Sequence, residues 1–483
     1  MNAINSAILD PSIGWTVLAA FSVLWIALGW YWGRHSSELD DYVLAGRRVG
    51  LALGTATAMA TWVTSNTTMA APQIALQMGV WGMLGYSLGA IGLLMFAPLA
   101  ERIRSLMPGG YTSGDFIRLR YGKTAWRIFL LISLFYSLGW LVSMGMAGGV
   151  LINALTGIPY HYGMTVILVI CVGYTLLGGF RAVIGTDFIQ ALLILVGLLV
   201  IAILAIKNLG IEDIHAATLR DRPELLNLLM PASIMFLFNN LLFGVGEIFH
   251  SNVWWSRAFA FREGVGKGAY LLAGVLWAPI PVVAGFVALA TPLLDLNIPA
   301  ADMVGPMVAA KVLGTAGAVL VLVMVFSALS SSLDSLLAAT SILVVEDVYK
   351  RHLNPKASAA QMRKATSWII VGLGCLTWLL CAPRITTLAE LLYFTGAFVA
   401  STIWPIAAGL FLRSAGSLGA TSGMLLGSLA GITAYFTVGF YVAALVGAAV
   451  SMVCVLIGLT TTSEKFDWHL LREKRPDDEV TQA

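Results

Sequence analysis

The chain has little charge. Asp, Glu, Lys and Arg make up 11% of its 483 residues, 59% are hydrophobic, and the mean hydropathy is +0.86. A soluble domain carries about 25% charged and about 45–50% apolar residues, so this composition cannot cover a water-facing surface. Cysteine is scarce too. Cys171, Cys375, Cys381 and Cys454 all sit in apolar runs, and no CxxC, HExxH or P-loop occurs. That excludes a disulfide framework, a zinc site of the usual spacing and a nucleotide-binding loop. The six histidines are scattered, which argues against an intramembrane enzyme built on a His/Asp cluster. Short period-2 alternation is lacking, which excludes a membrane β-barrel. Nucleic-acid-binding readings fall with the apolar composition, and the net charge of +3 says little by itself. No Lys or Arg precedes the first apolar run, about Ile13 to Gly33, so that run lacks a signal peptide's basic n-region and reads as a retained spanning helix.

What is present is a series of apolar runs long enough to cross a bilayer, about 20 residues each. The reading is an all-α polytopic protein of the cell membrane with about thirteen spans: 13–33, 50–78, 80–105, 126–156, 161–178, 183–206, 230–256, 267–294, 315–346, 365–382, 386–412, 416–436 and 438–460. With the N-terminus outside, 23 of the 28 Lys and Arg residues fall on the inner side, Arg257 among them as part of a Trp254-Trp255-Arg257 interface anchor. The organisation expected is an extra N-terminal helix over 1–37, a core over 38–412, two C-terminal spans over 413–462 and a cytoplasmic tail over 463–483.

Two spans look internally broken. The second carries Thr61-Trp62-Val63-Thr64-Ser65-Asn66-Thr67-Thr68, hydroxyls that compete with the helical ladder. The seventh carries Asn239, Asn240, Gly244, Gly246 and Glu247. Interrupted helices five spans apart point to an inverted-repeat transporter with its binding site at the breaks; close helix packing is the alternative for either cluster alone.

Polar residues at membrane depth are candidates for function. Asp187 and Gln190 follow the tight loop Gly178-Gly179-Phe180-Arg181, where Asp187 either serves a site or caps the next helix. The ninth span holds Ser327-Ala328-Leu329-Ser330-Ser331-Ser332-Leu333-Asp334-Ser335. The hydroxyls of Ser331 and Ser332 and the carbonyl of Ala328 suit a hard cation, which takes oxygen ligands, and carbonyls freed in the second span could complete the shell. Glu247 and His250 are a candidate proton-handling pair.

These residues resemble the sodium:solute symporter family. The likeness rests on Asp41-Tyr42-Val43-Leu44-Ala45-Gly46-Arg47, on Gly178–Gln190, on Ser331-Ser332-Leu333-Asp334-Ser335-Leu336-Leu337 and on Glu346-Asp347-Val348-Tyr349. It implies a LeuT-type five-plus-five inverted repeat. By position it also implies a sodium site made of the Ala60, Val63 and Ala328 carbonyls with Ser331 and Ser332, and a role for Asp187 on the ion's inward path. Trp62 departs from the acidic residue of the proline branch, and the stretches 62–86 and 114–122 look like the urea-transporter branch. The expected function is sodium-coupled import of a small polar solute by alternating access, with no catalysis and no cofactor beyond the coupling ion. The solute is expected near Thr64, Ser65, Thr67, Trp140, Ser143, Asn240 and Glu247. Proton coupling and a transporter-like sensor are the alternatives.

Overall fold

The computed structural model describes residues 8–34, 39–294, 296, 298–384, 386–462 and 465–473. The expected boundary at residue 37 and most of the expected tail lie outside them. Among the described residues there is no strand; the chain is a succession of helices, as a bilayer demands of backbone that must satisfy its own polar groups. In order they are α1 (Pro11–Gly33), α2 (Leu39–Leu44), α3 (Leu51–Trp62), α4 (Ala71–Ser87), α5 (Ala90–Leu106), α6 (Ser113–Thr156), α7 (Tyr160–Leu209), α8 (Ile211–Asp221), α9 (Pro231–His250) and α10 (Asn252–Ala260). There follow α11 (Gly266–Trp277), α12 (Pro279–Ala288), α13 (Val304–Val344), α14 (Ala359–Cys381), α15 (Leu388–Val399), α16 (Ile403–Phe411), α17 (Ser417–Thr437), α18 (Ala443–Thr461) and α19 (His469–Glu473).

Eleven helical segments among the described residues are long and apolar enough to cross a membrane. Four of them are interrupted by a glycine with positive φ, Gly79, Gly122, Gly179 and Gly314, and the first and third of these fall between two expected apolar runs. Gly79, inside α4, has φ 64° and ψ −145°, and Gly179, inside α7, has φ 56° and ψ −152°. Side-chain-bearing residues rarely take this backbone conformation. At Gly179 a Cβ would also stand 2.5 Å from the Tyr42 carbonyl oxygen, so only glycine fits the reversal. The thirteen spans expected from the sequence require the arms on either side of Gly79 and of Gly179 to cross separately. Labelling of single cysteines tests this count. Glu212→Cys in α8 should react with an impermeant maleimide from outside and Ala360→Cys in α14 should not; the reverse pattern in sealed right-side-out vesicles contradicts it.

Helix α13 runs along α7 and α6, α3 lies against α7 and α11, and the short α10 threads between α5, α6 and α13. The second span breaks where the hydroxyl cluster predicts, at Val63–Thr64 between α3 and α4. The seventh breaks later than expected. Helix α9 runs unbroken through Asn239, Asn240, Gly244, Gly246 and Glu247, and the chain turns out of helix at Ser251, with φ −69° and ψ 128°. The reason is that both asparagines are committed to neighbours and do not attack their own helix. Asn240 Nδ2 donates to the carbonyls of Gly85 (2.8 Å) and Tyr86 (3.1 Å), and Asn239 bonds the backbone of Phe440 and Ala444.

Candidate functional site

Helix α3 ends because its own hydroxyls capture the amides that would continue it. Thr64 N donates to Thr67 Oγ1 at 3.2 Å, and Thr67 N donates to the carbonyl (3.1 Å) and Oγ1 (3.2 Å) of Thr64. In an unbroken helix these two amides would reach the carbonyls of Ala60 and Val63. Both carbonyls therefore lose their helical partners at a fully buried position. The chain resumes through one wide π-helical stretch, Asn66–Ala70, and then α4.

Helix α13 supplies the facing side. Ser332 Oγ lies 3.0 Å from the carbonyl oxygens of both Thr61 and Ala328. Ser331 Oγ donates to Asp187 Oδ1. The five residues expected to hold sodium, Ala60, Val63, Ala328, Ser331 and Ser332, thus lie on the two helices that the Ser332–Thr61 contact holds together, and all are buried.

Asp187 is not a solvated helix cap. It is fully buried and forms an ion pair with Arg257, Nη2 to Oδ2 at 3.1 Å. Thr57 also donates to this carboxylate. Arg257 spends its remaining donors on Thr57 Oγ1 (3.1 Å), Thr61 Oγ1 (2.5 Å), Ser335 Oγ (2.7 Å) and the Val253 carbonyl (3.0 Å). The pair ties α3, α7, α10 and α13 at one point. This corrects the expected interface anchor. Trp254, Trp255 and Arg257 are each 0% exposed, because the turn at Ser251 steers α10 into the core. Counting Lys and Arg by loop registers a charge but not a carboxylate waiting for it, and a cation at membrane depth is stable only beside such a partner.

Next to the break lies a narrow cavity of about 20 Å3 lined by Trp62, Thr64, Asn66, Thr67, Tyr86, Gly89, Trp140, Asn240, Phe243, Trp277 and Leu392. Its walls are aromatic. The Trp62 ring meets Trp140 edge-on at 5.8 Å and Trp254 edge-on at 5.5 Å, and Trp277 at 5.6 Å with a 31° tilt; Tyr86 stacks on Trp277 at 6.4 Å. Trp277 Nε1 donates to the Trp62 carbonyl at 2.6 Å, which anchors the break. No lining residue is charged. Three buried donors on the lining residues have no hydrogen-bond partner among the described residues: Trp62 Nε1, Trp140 Nε1 and Asn66 Nδ2. Buried donors are rarely left unpaired, so the wall suits a solute that presents an acceptor oxygen.

Of the expected solute residues, Thr64, Thr67, Trp140 and Asn240 line this cavity. Ser65, Ser143 and Glu247 do not. Ser65 Oγ turns to Met144 Sδ (3.2 Å), and Ser143 Oγ supports Asn66 from behind at 3.0 Å. Glu247 accepts from Trp254 Nε1 at 3.0 and 3.1 Å, while His250 Nδ1 sits 2.9 Å from the Gly246 carbonyl oxygen. No hydrogen bond joins the Glu247 and His250 side chains to each other.

The model of the sodium:solute symporter family matches residues 42–427. The chain belongs to this family. Among its relatives, the urea-proton symporter DUR3 of Oryza sativa subsp. japonica is 26% identical over 96% of this chain and 73% of its own length. Probable urea active transporter 1 of Schizosaccharomyces pombe is 25% identical over 73% of this chain and 59% of its own length. The high-affinity proline transporter PutP of Bacillus subtilis is 24% identical over 83% and 88%. This chain spans between about half and three-quarters of the length of the urea transporters it matches. In structure it resembles a Na+-coupled sialic acid symporter in a substrate-bound outward-open state, with a TM-score of 0.76, 18% identity and 94% and 99% of the two chains covered. It also resembles Mhp1, a nucleobase-cation-symport-1 family transporter, in a closed conformation, with a TM-score of 0.59, 13% identity and 90% and 98% covered. These likenesses establish the LeuT-type fold. The family and the relatives are transporters, not enzymes, and the protein is a multi-pass protein of the cell membrane.

Proposed function

We propose that this symporter couples sodium to the import of a small, uncharged, planar solute of the urea class. The observation that carries the solute class is the cavity at the α3 break: aromatic walls, no charged lining residue and three unpartnered donors. A charged solute would be left there without a counter-ion, at a cost of several kcal/mol on the order expected for burying an ion. A flat amide stacks on the rings and accepts from the free donors. Relatives named as urea transporters support the same reading.

Sodium would bind between α3 and α13, on the Ala60, Val63 and Ala328 carbonyls and the Ser331 and Ser332 hydroxyls. This set consists of neutral oxygens only, which suits a hard cation, and two of its carbonyls have lost their helical amides. Asp187, bonded to Ser331, would draw the ion inward from that set. Because the same broken segment also contributes Thr64, Asn66 and Thr67 to the cavity wall, ordering it by sodium raises solute affinity, and the solute raises sodium affinity by the same factor. The breaks at Val63 and Ser251 are the points at which the two half-helices can rock during alternating access.

Proton coupling is the second reading. It is favoured by the name of the rice relative, a urea-proton symporter, and by the buried carboxyls of Asp187, Asp334 and Glu247. A thermal-shift screen of urea, proline and sialic acid against the purified protein, with and without sodium, tests the proposal. The expected result is stabilisation by urea that grows with sodium. Stabilisation by proline or sialic acid alone contradicts the solute class, and stabilisation by urea that ignores sodium contradicts the coupling.

A further inference from the structure

Helix α14 borders two open grooves on the surface that faces the membrane, of about 440 and 480 Å3. One, against α7, is lined by Thr165, Leu168, Val172, Val371, Cys375 and Trp378 among others and holds no ionisable group except the thiol. The other lies against the end of α13, where the helix widens into a π-helical stretch over Val345–Leu353, closed by Asn354 N donating to the Tyr349 carbonyl at 2.8 Å. Val348, Leu353, Trp368 and Ile369 form its apolar walls, and Lys364 stands on its lining. Leu353 is 73% and Trp368 67% exposed, so this face is covered by lipid. It lies on the side of the membrane where the sequence concentrates Lys and Arg.

The cations around this second groove divide into two groups. Lys350 pairs with Glu346 at 3.5 Å, Arg351 pairs with Asp115, and Arg363 stacks over the Tyr42 ring at 4.9 Å. Lys356 and Lys364 have no ion pair or hydrogen bond among the described residues, and both are exposed. Lys364, on the lining of the apolar trough, and Lys356, in the short loop that joins the two helical segments forming its walls, match a molecule with a hydrocarbon chain and a net negative headgroup. A zwitterionic lipid brings its own cation to its phosphate and gains less from them.

We propose that the α13–α14 groove is a specific site for an anionic glycerophospholipid, with an acyl chain along Val348, Leu353, Trp368 and Ile369 and its phosphate at Lys364 and Lys356. Basic pockets between spans on the cytoplasmic side recognise headgroups in this way. The uncharged groove of similar volume on the same helix is the internal control, because it can take a chain but cannot choose a headgroup.

The test uses the full-length protein in detergent, titrated with dibrominated phosphatidylglycerol or dibrominated phosphatidylcholine. The Trp368 signal is read as the difference between wild type and Trp368→Phe. Phosphatidylglycerol should quench Trp368 at about tenfold lower concentration than phosphatidylcholine, and Lys356→Gln with Lys364→Gln should bring the two lipids to within about threefold, since each surface cation contributes modestly. Trp378, read through Trp378→Phe, should be quenched equally by both. Equal quenching of Trp368 by the two lipids overturns the proposal. So does a headgroup preference that survives in the double glutamine variant, or one that Trp378 shows as well.

Discussion

Arg257→Met should remove most of the folded protein. The substitution keeps the length and apolar stem of the side chain but leaves Asp187 as a carboxylate that is 0% exposed and has lost its ion-pair partner. Breaking a buried pair by removing one partner costs about 3–5 kcal/mol, a shift of roughly two to four orders of magnitude in an equilibrium constant. The same argument applies in reverse to Asp187→Asn, which strands the guanidinium, so a loss of stability accompanies its effect on sodium dependence. Asp187→Asn together with Arg257→Met should recover much of the folded yield, because two neutral side chains cost less than one stranded charge. It should not recover transport if Asp187 draws sodium inward. Monodisperse yield and Tm in detergent check the first part and uptake checks the second. Wild-type yield in Arg257→Met, or a double variant as poor as the single ones, contradicts the account of the pair.

Ser331→Ala and Ser332→Ala should each raise the sodium concentration for half-maximal uptake. Each removes one neutral ligand from the proposed shell, and an unmade buried polar contact costs on the order of 1–3 kcal/mol, or roughly a 5–150-fold loss of apparent affinity. Solute affinity should fall in parallel through linkage. Neighbouring hydroxyls separate this from packing. Ser330→Ala removes contacts with Gln190 (2.9 Å) and the Ser327 carbonyl (3.2 Å), both away from the proposed shell, and should leave sodium dependence near wild type. Ser335 contacts Arg257 at 2.7 Å and Thr61 at 3.0 Å, so Ser335→Ala should lower Tm more than it changes sodium affinity. Unchanged sodium dependence in the Ser331→Ala, Ser332→Ala variant makes these serines packing residues and transfers the coupling role to protons.

Much of this architecture is legible in the sequence, because the bilayer leaves few choices. Apolar runs fix the helices, and the hydroxyls of Thr61–Thr68 announce the first break because each can replace a backbone partner locally. The second break is legible only as a region. Asn239 and Asn240 look like helix breakers, yet their hydrogen bonds go to Phe440, Ala444, Gly85 and Tyr86, and nothing local in the sequence reveals such distant partners. Arg257 was hidden by a rule that treats every Arg near a span end as a surface charge. The signal that could have found it is Asp187 itself, since an acid at membrane depth requires a cation, and Arg257 follows a span rich in Asn and Gly. The aromatic cavity was least legible. Trp62, Tyr86 and Trp277 come from three separate helices, and Trp62 stood out only as a departure from another branch of the family.

The account's central claim is that a sodium gradient drives accumulation of an uncharged urea-class solute. The measurement that tests it most directly is uptake of radiolabelled urea into proteoliposomes holding the wild-type protein, under an imposed inward sodium gradient at equal pH and, separately, an inward proton gradient without sodium. The account predicts transient accumulation of urea above equilibrium in the first case, abolished by an ionophore that collapses the sodium gradient, and only passive equilibration in the second. Accumulation driven by the proton gradient alone, with none from sodium, would contradict it.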